Sequence, residues 1–288
     1  MTSLRAAPYL LLIGVSLTSA CSTREGTPMV NTHVDSGVSV DASTIDSARI
    51  DSGVPFDASI ACSDALDIVF VLDVSTSMGD VLGDIRAGIT DIWNTATGLS
   101  ANAQFGMVVF VDDAVAVNDC TPIGSVAQLQ AQFDHWRDFC SSNESPLSHE
   151  QNVDCEENSL DAVALAVAAC PWRTPATRII VHVTDDTFEE HPYRLSDSVT
   201  VGTNYADVAA TLVSEEIRFA VFANQGTATC GSYSGAPGFH TPFMSQPSLP
   251  TQTGGRAWDL DQVRSDTLNM GTAISDLLRD EYCTLFLF

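Results

Sequence analysis

The chain is poor in positive charge: 12 Lys and Arg stand against 37 Asp and Glu in 288 residues, a formal net charge of −25. That balance disfavours nucleic acid and anionic membrane surfaces, whose binding rests on neutralising phosphates with basic side chains. There is no Cys-x-x-Cys pair and no histidine cluster, which removes the usual zinc and thiol-redox sites. Gly-x-Ser-x-Gly, His-Glu-x-x-His and a phosphate-binding Gly-Lys-Ser/Thr loop are also missing, so the common hydrolase and nucleotide-driven readings have no motif to stand on. The apolar run at residues 9–17 is too short to cross a bilayer. Apolar residues make up 45% of the chain, which is ample for a sizeable core.

Residues 1–20 have the form of an export signal: Arg5, the apolar run, then Thr18-Ser19-Ala20. Cys21 follows directly, and the stretch resembles the lipobox of bacterial lipoproteins, with Leu17 one place further from the cysteine than that motif has it. The resemblance implies acylation of Cys21, and Ser22 in the next position implies the outer membrane. Cleavage after Ala20 and free secretion is the alternative. The only expected link to a membrane is this lipid. Residues 21–61 repeat a short Asp/Ser/Gly/Ala unit (Asp35-Ser36-Gly37, Asp41-Ala42-Ser43, Asp46-Ser47-Ala48, Asp51-Ser52-Gly53, Asp57-Ala58-Ser59). Such polar, self-repelling composition buries too little to offset ordering entropy and predicts a disordered linker.

Seven cysteines follow Cys21, an odd number, in a chain expected to meet an oxidising compartment. Cys62 precedes the first expected strand and Cys283 follows the last expected helix, so these two would clasp the domain if its ends are neighbours. A second bridge is expected among Cys120, Cys140 and Cys155.

Residues 62–288 read as one α/β domain with a mostly parallel, doubly wound sheet. Residues 66–72, 105–111, 178–184, 218–223 and 255–260 are expected strands. Val81, Leu82, Ile85, Ile89, Ile92 and Trp93 mark a helix by their three- and four-residue steps. Further helices are expected at 160–169, 205–216 and 263–280, and a long loop at 224–253. His135 and Trp136 read as surface and packing residues.

The first buried strand runs into Asp73-Val74-Ser75-Thr76-Ser77, and residues 178–183 run into Thr184-Asp185-Asp186. Ligands of open parallel sheets sit beyond the carboxyl ends of the strands, so two acidic strand ends face one crevice. At this point the sequence resembles the von Willebrand factor A family, whose metal-ion-dependent adhesion site combines Asp-x-Ser-x-Ser with a later Asp. By position these are Asp73, Ser75, Ser77 and Asp185. The stretch Asn152-Val153-Asp154-Cys155-Glu156-Glu157 is similar to the integrin β-subunit version of the domain. That likeness implies Glu157 as a further ligand of the main site. It also implies a neighbouring calcium site from Asp112, Asn152, Asp154 and Glu157. Asp80 is followed by Val81 where that subfamily has a second acidic residue, so no third site is expected.

Carboxylate and hydroxyl donors suit magnesium at the main site and calcium beside it. The resemblance implies a protein ligand that presents an Asp or Glu carboxylate to the metal, and no enzymatic role. Two other readings stay open: an envelope scaffold that docks without metal, and a metal-dependent hydrolase.

Overall fold

The computed structural model describes residues 62–153, 156–226 and 236–284. The expected signal, the lipidation site Cys21, the linker, and the candidate ligand Asp154 lie outside these residues, as do Cys155 and Cys230.

The strand β1 (Ala65–Asp73) has eight of its nine residues buried, as its nearly continuous apolar run requires of a strand covered on both faces. Leu66, Ile68, Phe70 and Leu72 point into one core, Val69 and Val71 into the other, the period-two alternation of an extended chain. Asp67, the one polar residue mid-strand, is 4% exposed and accepts from the Arg173 backbone N–H at 2.8 Å and its Nε at 2.7 Å. Pairing and hydrogen bonding of this kind make a buried charge tolerable.

Helix α1 (Gly79–Leu99) places its predicted stripe of Val81, Leu82, Ile85, Ile89 and Ile92 against that first core. Strands β2 (Asn102–Phe110) and β3 (Ala114–Ala116) and helix α2 (Val126–Phe139) follow. Then come α3 (Ser159–Ala169), β4 (Thr177–Val183), α4 (Tyr205–Ser214) and β5 (Ile217–Ala223). The chain closes with α5 (Leu249–Thr253), β6 (Ala257–Asp259), α6 (Leu260–Arg264) and α7 (Met270–Glu281).

The sheet order is β3-β2-β1-β4-β5-β6, parallel throughout except for β3. From β1 the chain crosses to β2 on one side, and from β4 to β5 on the other. A crevice therefore opens between the carboxyl ends of β1 and β4, where doubly wound sheets bind ligands.

Three expectations need correction. The closing helix is two helices, because Asp266 takes a left-handed φ of 55° and the Asn269 side chain caps α7 by accepting from Thr272 N at 2.9 Å. The long loop at 224–253 ends in α5. Among the described residues the second disulfide is Cys120–Cys170, and Cys140 is a buried free thiol. Gly106 of β2 makes room for that bridge: a Cβ there would lie 2.7 Å from Cys120 Sγ. The other disulfide joins Cys62 to Cys283 across 221 residues. His135 is exposed and Trp136 is buried on the α2 face toward the core.

Helices α1 and α7 touch through glycines. A Cβ on Gly88 would stand 2.6 Å from Gly271 Cα, a backbone atom that moves only if the helix does. Alanine normally favours a helix over glycine, but here overpacking should dominate. Gly88→Ala is expected to destabilise the protein by about 1–3 kcal/mol, read as a lower urea midpoint; an unchanged or raised midpoint would show that the two helices can separate freely.

Candidate functional site at the switch point

Asp73, the last residue of β1, has 0% exposure. Its Oδ1 accepts from the Ser75 backbone N–H at 2.8 Å and its Oδ2 from Thr184 Oγ1 at 2.9 Å. The Asp-x-Ser unit thus makes its own turn at the strand end, fixing where the two serines point. Ser75 Oγ and Ser77 Oγ are 3.2 Å apart, and Ser77 Oγ donates to Asp185 Oδ1 at 2.9 Å. Asp185, 1% exposed, is held from behind by Asn224 Nδ2 on its backbone carbonyl at 3.0 Å. The two strand ends singled out in the sequence therefore meet around Asp73, Ser75, Ser77 and Asp185.

Glu157 joins them from the loop before α3 and is also fully buried. Its backbone N–H bonds Thr187 O at 3.1 Å, and the next amide, Asn158 N, bonds Val111 O at 2.9 Å. The loop is thereby stitched to the ends of both β4 and β2. Asn152 Nδ2 donates to Glu157 Oε1 at 3.0 Å, whereas Glu157 Oε2 is buried without a hydrogen-bond partner among the described residues. Asp112, directly beyond β2, is fully buried, and its backbone carbonyl accepts from Asn158 Nδ2 at 2.8 Å.

These carboxyls act on one another. Burial, then the charge of Asp185, raises Asp73 from 3.8 to about 7. Burial raises Glu157 well above the carboxylate range, reinforced by Asp73, Asp186 and Asp112. Asp186 is raised to about 8, again by burial first and then by Asp185 and Asp73. Desolvation and like-charge crowding penalise every ionised form.

Sequence reasoning missed three members of the site. Thr184 and Asn224 hold the two aspartates by hydrogen bonds. The third is Arg264 of α6, whose guanidinium makes a short ion pair with Asp185 Oδ2. No local signal could have shown it, because Arg264 lies 79 residues from Asp185.

Among the described residues, no three or more His, Cys, Asp or Glu side chains are grouped to hold a metal ion by themselves. The donor chemistry of the crevice is mixed, with hydroxyls beside carboxylates. Buried, mutually repelling carboxyls and a Glu157 Oε2 without a hydrogen-bond partner among the described residues fit a hard cation better than they fit an empty pocket.

No protein-family model matches the chain, and no curated protein matches it. Solved structures resemble its fold at low identity. An aerotolerance-related membrane protein from Bacteroides fragilis shares 17% identity, over 75% of this chain and 100% of the other, with a TM-score of 0.46. The conserved hypothetical protein BatB from Bacteroides thetaiotaomicron shares 14%, over 76% and 100%, with a TM-score of 0.44. Proximal thread matrix protein 1 from the mussel byssus shares 13%, over 77% of this chain and 47% of the other, with a TM-score of 0.46. The fold class rests on the strand order and register above. Among the described residues no helix is long and apolar enough to cross a membrane.

Proposed function

We propose that the protein is an exported interaction domain of the von Willebrand factor A type, with the loop pattern of the integrin β-subunit version. In this reading Asp73, Ser75, Ser77, Glu157 and Asp185 hold a divalent cation, magnesium by donor chemistry, and Asp112, Asn152 and Glu157 form the described part of a neighbouring calcium site. The bound metal supplies positive charge to which a partner protein's Asp or Glu carboxylate is drawn. Lipidation at Cys21 and placement at the outer membrane belong to the same proposal, with free secretion the alternative.

The observation that carries the proposal is the meeting of buried Asp73 and Asp185 with the Ser75 and Ser77 hydroxyls at the sheet's switch point, with buried Glu157 close enough to feel the charge of Asp73. Binding is favoured over hydrolysis by the character of the β4 imidazole, three residues before Asp185 in the chain. His182 is fully buried, stacks on Phe110 at 5.3 Å, and burial lowers it to about 3, too weak a base to take a proton from water near neutrality. The Arg264–Asp185 pair favours the scaffold as second reading, since it already neutralises part of the crevice without metal.

The deciding experiment is calorimetric titration of the purified protein with magnesium and calcium, beside Asp73→Ala and Asp185→Ala. Saturable binding that both substitutions remove is expected, together with chelator-sensitive capture of acidic peptides. A folded wild-type protein that takes up neither ion would leave the scaffold reading.

A further inference from the structure

The contacts of Arg264 are uneven. Its Nη2 pairs with Asp185 Oδ2, but its remaining contacts are long: Ser77 O at 3.3 Å, Asn224 Oδ1 at 3.3 Å and Asp261 Oδ1 at 3.9 Å. Its side chain is 29% exposed against 1% for Asp185. The guanidinium thus has one close ionic partner, deep in the crevice, acts by charge on neighbouring Asp186, and is partly open to solvent. It belongs to a five-residue helix followed by the turn in which Asp266 has a φ of 55°, so it is carried on a short element between β6 and α7.

From this geometry we infer that Arg264 is a built-in counter-cation, which neutralises Asp185 in the metal-free protein and competes with the metal for that carboxylate. The inference rests on the metal-binding reading above. A dication among Asp73, Ser75 and Ser77 would sit beside Asp185, and a guanidinium on the same carboxylate opposes it by like-charge repulsion. The strong contact is an ion pair that the metal can replace, and the weak ones cost little to break. Release of Arg264 on loading would then convert metal occupancy into a change at the turn between α6 and α7. Two cations that share one anionic group are coupled, and each weakens the other's binding by the same factor.

The test is magnesium titration of the purified protein and of two variants, Arg264→Gln and Arg279→Gln. Arg279 pairs with Asp276 on the exposed side of α7, so its loss changes the net charge equally without touching the crevice. Arg264→Gln is expected to bind magnesium about tenfold more tightly, within the usual range of coupling, while Arg279→Gln matches wild type. Without metal, Arg264→Gln should melt below wild type, and at saturating magnesium the two should melt together. Equal or weaker magnesium binding by a folded Arg264→Gln overturns the inference while leaving the metal site in place. Failure of both wild type and Arg264→Gln to bind removes the metal reading, and the inference with it.

Discussion

Asp73→Asn is expected to make the metal-free protein more stable at pH 8 while abolishing magnesium binding. The wild-type carboxyl has its pKa raised from 3.8 to about 7 by burial and the neighbouring Asp185 charge. Below pH 3.8 the group is protonated in both folded and unfolded chains, and its neutral form is the one the crevice tolerates. Between pH 3.8 and 7 the unfolded chain gives up this proton while the folded protein keeps it, so stability falls as pH rises. By pH 8 the loss from Asp73 alone is on the order of 4 kcal/mol. The raised Glu157 and Asp186 act in the same direction. Asparagine never ionises, but it keeps one acceptor where Asp73 serves both Ser75 N and Thr184 Oγ1, which returns about 1 kcal/mol of the gain. Urea unfolding with chelator at pH 5 and pH 8 checks both parts. A wild-type protein equally stable at both values would mean that these carboxyls are not held charged against their surroundings.

The other large effect is expected at the Cys62–Cys283 disulfide. Closing a loop of 221 residues removes so much freedom from the unfolded chain that breaking it should cost about 5 kcal/mol in the chain-entropy account. The double variant Cys62→Ser, Cys283→Ser should melt far below wild type, and magnesium should recover part of the difference, since a ligand of the folded state stabilises it by mass action. Retention of the wild-type melting point would mean that β1 and α7 hold the two ends together unaided.

What could be read in the sequence was what depends on neighbours along the chain. The run that became β1 is apolar almost without interruption because both faces are covered, β4 keeps an apolar centre of Ile179-Ile180-Val181, and α1 shows its buried stripe plainly. The Asp-x-Ser-x-Ser turn is local, so it could be recognised at once. Strand β3 could not, because three residues of Ala-Val-Ala at an antiparallel edge have no periodicity to detect. The break before α7 hides inside a helical apolar pattern, and it is set by one left-handed residue and one asparagine cap. Cys120 pairs with Cys170, which comes from the far end of α3, a meeting that only the stacking of α3 on the sheet determines. The Arg264 contact is of the same kind: its residues share no pattern until the sheet's two halves close around the crevice.

The central strand has a mechanical consequence. It starts three residues after the disulfide at Cys62 and ends at Asp73, so a pull between Cys62 and the crevice would run along its axis. Parallel ladders flank it on both sides, nine residue pairs to β2 and seven to β4. Load in that direction shears all of these bonds at once and does not unzip them singly. The disulfide ties Cys62 to Cys283 just beyond α7, so part of that load is handed to the C-terminal helix as well. Resistance to such a load is governed by the unfolding rate more than by equilibrium stability, and a domain so built would hold longest when pulled along this strand.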